Sequence, residues 1–143
     1  MVVLSKDKVF IYDLGGMTFL HRLNLTYHLG RVILATNASM DRPHLIYSNS
    51  AESGTMKIFD IGEQRTIRSI QCHKTAILHL KCDLDANYAI TYSGSSDAIR
   101  LWNLNTGAKL ASYLLNRATE FTSLFLSQTG LISAFTPETE NGQ

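Results

Sequence analysis

Short runs of alternating apolar and polar residues follow one another along the chain, each closed by a cluster of Gly, Asn, Asp or Ser, and no stretch keeps the apolar period of an amphipathic helix. The pattern predicts strands joined by tight turns throughout. Three runs share one plan, in which alternating apolar positions end in an aromatic followed by an acid or amide: Val9-Phe10-Ile11-Tyr12-Asp13-Leu14, Met56-Lys57-Ile58-Phe59-Asp60-Ile61 and Ile99-Arg100-Leu101-Trp102-Asn103-Leu104. The aromatic recurs at Tyr12, Phe59 and Trp102, at intervals of 47 and 43 residues. These intervals are near the period of about 40 to 45 residues that a four-stranded β-propeller blade needs.

The most complete unit is expected to place strands at 76–80, 88–93, 98–104 and 109–115, with turns at 83–87, 94–97 and 105–107. An earlier unit of the same plan occupies 31–37, 44–48, 55–61 and 66–71. Residues 2–5, 8–14 and 17–23 read as the last three strands of a blade, and 121–127 with 131–135 as the first two strands of another. The expected fold is all-β: a β-propeller segment of thirteen strands, divided into a partial blade (1–24), two blades (30–71 and 73–115) and a second partial blade (119–136). A closed propeller has about four to eight blades, so further blades or another chain are expected to close it.

Composition narrows the functional classes. With 143 residues, 45% of them hydrophobic and only 17% charged, the chain is not a disordered tail. Thirteen Lys and Arg against twelve Asp and Glu leave a formal charge of +1, which argues against nucleic acid as a partner. Recognition of an anion then falls to a few placed residues. Cys72 and Cys82 form no CxxC pair and the five histidines have no metal-ligand cadence, so a reduced, cytoplasmic chain without metal or cofactor is expected. No apolar run approaches the roughly 20 residues of a membrane span, and no signal peptide is expected. Ser, His and Asp occur without a nucleophile-elbow pattern, and Gly15, Gly16 and Gly94 read as turn residues rather than phosphate loops, so no enzyme is expected.

The unit that contains His73, then Thr91-Tyr92-Ser93-Gly94-Ser95-Ser96-Asp97-Ala98-Ile99-Arg100-Leu101-Trp102-Asn103, is similar to a WD40 repeat. In that family a histidine, a Ser or Thr, a turn Asp and the Trp form a hydrogen-bonded set, which implies intrablade packing for His73 and Trp102. Here Ser96 stands where the Asp is expected, Asp97 where Gly is usual, and Asn103 replaces the final Asp.

The segments Val2 through Leu14, Gly30-Arg31-Val32-Ile33-Leu34-Ala35-Thr36-Asn37, His44-Leu45-Ile46-Tyr47-Ser48-Asn49-Ser50, Gly54-Thr55-Met56-Lys57-Ile58-Phe59-Asp60 and Cys72-His73-Lys74-Thr75 together resemble the PROPPIN family. The resemblance implies a seven-bladed, phosphoinositide-binding propeller of autophagy. The family carries a Phe-Arg-Arg-Gly signature whose arginines head two phosphoinositide pockets; guanidinium forks suit phosphate oxygens. The matching positions here are Tyr113, Leu114, Leu115 and Asn116, with leucines in place of both arginines. Arg117 lies just beyond, either near the second pocket or as a solvated loop residue. His73, Ser93 and Arg100 stand at the family's supporting positions, Arg100 being readable as a lipid contact or as a structural residue, and Asp97 puts a repelling charge where the family has Thr.

Two functions follow as expectations. One is a non-catalytic effector and scaffold that binds phosphatidylinositol 3-phosphate or the 3,5-bisphosphate through His73, Ser93, Arg100 and Arg117. It would recruit autophagy or other scaffold proteins to pre-autophagosomal, endosomal or vacuolar membranes. The other is a WD40 protein-interaction scaffold that has lost lipid binding with its arginine pair.

Overall fold

The computed structural model describes residues 2–5, 8–13, 15–24, 33–36, 44–48, 54–83, 87–94, 98–114, 123–126 and 132–135. All regular structure among them is antiparallel strand. Sheet one contains β1 (Val2–Ser5), β2 (Lys8–Asp13) and β3 (Thr18–Asn24); sheet two contains β4 (Ile33–Thr36), β5 (His44–Ser48), β6 (Thr55–Asp60) and β7 (Arg65–Gln71). Sheet three contains β8 (His79–Cys82), β9 (Tyr88–Tyr92), β10 (Ile99–Asn103) and β11 (Lys109–Tyr113), and sheet four contains β12 (Ser123–Leu126) and β13 (Ile132–Phe135). Each sheet is a meander in which sequence neighbours pair. Strand β8 lies against β4 on one side and β12 on the other. First strands therefore gather at the centre and last strands face outward, the arrangement of consecutive propeller blades.

The alternation of the third strands explains the stacking. Val9 and Ile11 of β2 are buried with Leu45, Tyr47 and Phe59 of the second sheet. One blade further on, Met56 and Ile58 of β6 are buried with Trp102, Leu80 and Ala89 of the third sheet. Alternate residues of a strand point to opposite faces. Strand β6 thus gives its aliphatic pair to the blade after it and its terminal aromatic, Phe59, to the blade before it. His21 adds a stacked contact on Phe59, with ring centroids 5.4 Å apart and planes 18° from parallel.

The acid or amide after each aromatic has a local task. Asp13 accepts hydrogen bonds from the N–H groups of Gly15 and Gly16 at 3.0 and 3.2 Å. Asp60 accepts from Glu63 N–H at 2.8 Å and Asn103 from Thr106 N–H at 2.9 Å. Each of the three hairpins places a left-handed residue at the same point, Met17 (φ 50°), Gln64 (φ 54°) and Gly107 (φ 78°). Each also shifts register one residue before the aromatic turns inward, between Ile11 and Tyr12, Ile58 and Phe59, and Leu101 and Trp102. Phe59 and Trp102 face the preceding blade by ordinary alternation, and the shift comes where each strand enters its hairpin. In the first hairpin the left-handed residue is Met17 rather than Gly15 or Gly16. Gly16 instead provides closeness, since a Cβ there would meet Asp13 Oδ2 at 3.1 Å.

One strand differs from expectation. The first strand of the third blade, expected over 76–80, spans His79–Cys82. Ile77 and Leu80 are the buried residues here, a spacing of three that a strand cannot serve from one face, so regular pairing starts at His79 opposite Tyr92. The residues before it form a strap that crosses from the second blade to the third. The N–H groups of Cys72 and His73 both donate to Gly54 O, at 2.8 and 3.0 Å. Gly54 is buried at φ 74°, and a Cβ there would fall 1.9 Å from His73 O.

Gly54→Ala is therefore expected to lower the unfolding free energy by about 2–4 kcal/mol, read as a lower denaturant midpoint. Gly62→Ala, whose added Cβ meets Asp60 Oδ1 at an ordinary 3.4 Å, stays within about 1 kcal/mol of the parent. Equal midpoints for the two variants would contradict the close approach of the strap.

Candidate functional site

The strap, the start of β6, the ends of β9 and β11 and the start of β10 all lie at one rim of the second and third blades. Three residues expected at a phosphoinositide site, His73, Ser93 and Arg100, come together there. His73 is 2% exposed and Thr91 is 0% exposed. The indole N–H of Trp102 donates to Thr91 Oγ1 at 2.8 Å, and His73 Nε2 lies 2.8 Å from the same oxygen, as donor or acceptor according to its tautomer. One hydroxyl thus joins the strap to the third blade's second and third strands. This is the WD40-type packing expected of His73 and Trp102. Buried polar groups that find partners in this way hold a core together instead of opening it.

Arg100 sits opposite Thr91 in the ladder and opposite Ser112 on the other side. Its Nη1 donates to Cys72 O, so the guanidinium reaches back from the third blade to the strap. Ser93 is buried where β9 ends. Gln71 secures the strap from the other side, its Nε2 donating to His73 O at 2.6 Å and its Oε1 accepting from Thr55 Oγ1 at 2.9 Å. Of the signature positions, Tyr113 is 49% and Leu114 82% exposed. Leu115, Asn116 and Arg117 lie outside the described residues, as do Ser96 and Asp97. Among the described residues of the strap, Lys74 adds an exposed positive charge.

Both thiols are held protonated. Burial pushes Cys72 up to about 12, opposed by its hydrogen bonds and the Arg100 charge. Burial, with the Asp83 charge beside it, pushes Cys82 up to about 11. Neither is an activated nucleophile. Among the described residues no group of three or more His, Cys, Asp or Glu is placed to hold a metal ion.

A second feature, at the opposite rim, was not evident from motif reading. A groove of about 260 Å³ runs between the second and third blades, lined by the buried Ile46, Ile58 and Leu104 and the exposed Ile67. Its lip is charged. His44 Nε2 lies 3.6 Å from Asp60 Oδ2, and Arg65 pairs with Glu63 at 2.6 Å. Arg68 crosses to the third blade, where Nη1 donates to Thr106 O at 3.0 Å and Nη2 to Asn105 O at 2.8 Å. The signal for Arg68 in the sequence is one cation on an outward strand, which has no periodic signature of its own.

No family model matches the chain. Curated relatives do. Autophagy-related protein 21 of Pichia angusta is 24% identical over 120 residues, covering 79% of this chain and 31% of the relative. WD repeat domain phosphoinositide-interacting protein 2 of Mus musculus is 24% identical over 142 residues, covering 98% and 32%. Autophagy-related protein 18 of Yarrowia lipolytica is 25% identical over 153 residues, covering 93% and 38%. The chain spans about a third of the length of these relatives. A solved complex of KlAtg21 with the coiled-coil of AgAtg16 superposes with a TM-score of 0.78 at 17% identity, over 94% of this chain and 45% of the matched one. The fold is that of a partial β-propeller, and the relatives bear out the resemblance to the PROPPIN family.

The raised thiol of Cys72 sets a pH dependence. An unfolded thiol ionises near 9.0 whereas this one holds its proton to about 12. Above pH 9 the folded state therefore binds more protons than the unfolded state, and stability falls as pH rises through that window. Urea midpoints measured from pH 8 upward are expected to decline above pH 9 and to decline less steeply in Cys72→Ala, the remainder belonging to Cys82.

Proposed function

We propose that this chain serves without catalysis as a phosphoinositide effector and scaffold of autophagy, recruiting proteins to a membrane that displays phosphatidylinositol 3-phosphate or the 3,5-bisphosphate. The observation that carries the reading is the convergence of His73, Ser93 and Arg100 at one rim of a propeller segment whose relatives include a phosphoinositide-interacting protein. Arg117, the other cation expected of the site from the sequence, lies outside the described residues. A guanidinium presents paired donors to phosphate oxygens, while His73, bonded to Thr91, holds the strap on which the rim is built. The full activity belongs to the closed propeller, to which further blades contribute.

The recruiting half of the function is assigned to the groove at the other rim. Its apolar lining and charged lip suit side chains projecting from a helix, and the solved KlAtg21 complex contains a coiled-coil. With lipid at one rim and protein at the other, the two partners do not compete for surface.

A second reading is favoured by one specific observation. Leu114, at the position of the first signature arginine, is 82% exposed and offers phosphate no hydrogen bond. On this reading the chain is a WD40-type protein-interaction scaffold that has lost lipid binding.

Flotation with phosphatidylcholine vesicles, with and without phosphatidylinositol 3-phosphate, separates the two. The effector reading expects lipid-dependent flotation that falls about tenfold or more in the double variant Arg100→Ala, Arg117→Ala. The interaction-scaffold reading expects none until Leu114→Arg and Leu115→Arg are introduced together. For the groove, the coiled-coil of AgAtg16 serves as probe. Binding is expected, weakened about tenfold or more by Ile67→Asp, which places a charge at the exposed apolar residue of the groove; unchanged binding would remove the groove from the reading.

A further inference from the structure

The contact between Arg100 and the strap links lipid recognition to the joint between two blades. The strap rests on Gly54 through two backbone hydrogen bonds and is tied to the third blade by the His73 and Thr91 contact. The guanidinium of Arg100 closes this arrangement by donating to Cys72 O from the opposite blade. Cys72 itself is buried in the core between the blades, with Ile70, Ile77 and Trp102. A phosphomonoester that binds this guanidinium through its Nη1–Nη2 edge competes with Cys72 O for the Nη1 donor. Charge-assisted hydrogen bonds to phosphate are stronger than those to a neutral carbonyl, so a phosphate within reach wins the exchange.

We propose that Arg100 is a latch: an anionic phosphomonoester headgroup at this rim draws its guanidinium away from Cys72 O, and binding thereby loosens the strap between the second and third blades. The inference rests on the phosphoinositide reading of this rim and adds to it a mechanical consequence. In the absence of the headgroup, Arg100 acts on the site through the strap, as a positioning residue. Its engagement lowers the affinity of the rim for phosphate, because the latched state must open first. The groove at the far rim is built from the same two blades. Its two walls are held by Arg68 on Asn105 O and Thr106 O, so loosening of the strap leaves that clamp as the surviving cross-blade tie from an arginine.

The reporter is Cys72, buried and protonated while the latch is closed, with Cys82 of the same molecule as internal control. The full chain is treated with N-ethylmaleimide alone, with phosphatidylcholine vesicles, with the same vesicles containing phosphatidylinositol 3-phosphate, and with inorganic phosphate, and labelling at each cysteine is read by peptide mapping. Flotation of the same samples reports binding. The expected result is that vesicles carrying the phosphoinositide accelerate labelling of Cys72 about tenfold relative to Cys82, and that Arg100→Gln does so without any lipid. Flotation with unchanged Cys72 labelling overturns the latch and leaves the lipid reading standing. Absence of flotation together with unchanged labelling in inorganic phosphate overturns both. Acceleration by inorganic phosphate without flotation supports the latch and removes the membrane as the source of the anion. Equal Cys72 labelling in the parent and Arg100→Gln also overturns it.

Discussion

Everything in this segment depends on face-to-face burial between sheets too small to stand alone. A short antiparallel sheet of three or four strands has little core of its own. The chain answers this by giving β6 two addresses, an aliphatic pair directed to the following blade and an aromatic directed to the preceding one, while β2 gives an aliphatic pair forward and β10 an aromatic back. Val9 and Ile11 meet Phe59, and Met56 and Ile58 meet Trp102. Alternation makes the double address possible, and the Asp or Asn after each aromatic fixes the hairpin that follows the register shift. Register shift and turn chemistry are therefore one device repeated three times. A failure at any of the three would uncouple the blades.

Polar contacts between blades sit on top of that apolar seam and act in opposite directions. Arg68 reaches forward from the second blade to carbonyls of the third, whereas Arg100 reaches back from the third to the strap that follows the second. The two cations occupy opposite rims. Each guanidinium satisfies carbonyl groups at a blade crossing, that of Cys72 part-buried in the strap and those of Asn105 and Thr106 on an exposed turn. The two candidate functional features lie at these same crossings, the strap rim and the groove. Places where ladder pairing stops are where side chains with free geometry collect, so recognition and blade coupling draw on the same few residues.

The fold was legible in the sequence because its device is periodic. Tyr12, Phe59 and Trp102 recur at nearly constant spacing, and the acid or amide after each marks the turn, so the blade plan could be read without knowing what any aromatic touched. The strand at the start of the third blade was misjudged because the buried pair Ile77 and Leu80 belongs partly to the strap, where alternation no longer applies. The site was legible only in part. His73, Thr91 and Trp102 carry a recognisable order, and the structure joins them through one hydroxyl. Arg68 and the Cys72 carbonyl gave no warning, since an isolated cation on an outer strand and a backbone oxygen in a strap have no pattern to detect. Exposure of Leu114 was equally hidden, being a property of where β11 ends.

The near-neutral charge of the chain acquires a sharper meaning from the rim geometry. A protein with a strongly basic face attracts anionic membranes through its long-range field, with individual contacts adding selectivity. A formal charge of +1 supplies little such field, so discrimination has to come from geometry at short range. Arg100 is half-buried and already bonded to Cys72 O, which removes it further from long-range steering and makes it responsive only to a ligand that arrives close enough to compete. Such a site trades affinity for selectivity: a diffuse anionic surface offers no single group able to displace a carbonyl, whereas a phosphomonoester held against the rim does. Under the latch proposed above, with leucines at positions 114 and 115, the burden of recognition falls on the strap and its energy is taken from the joint between two blades.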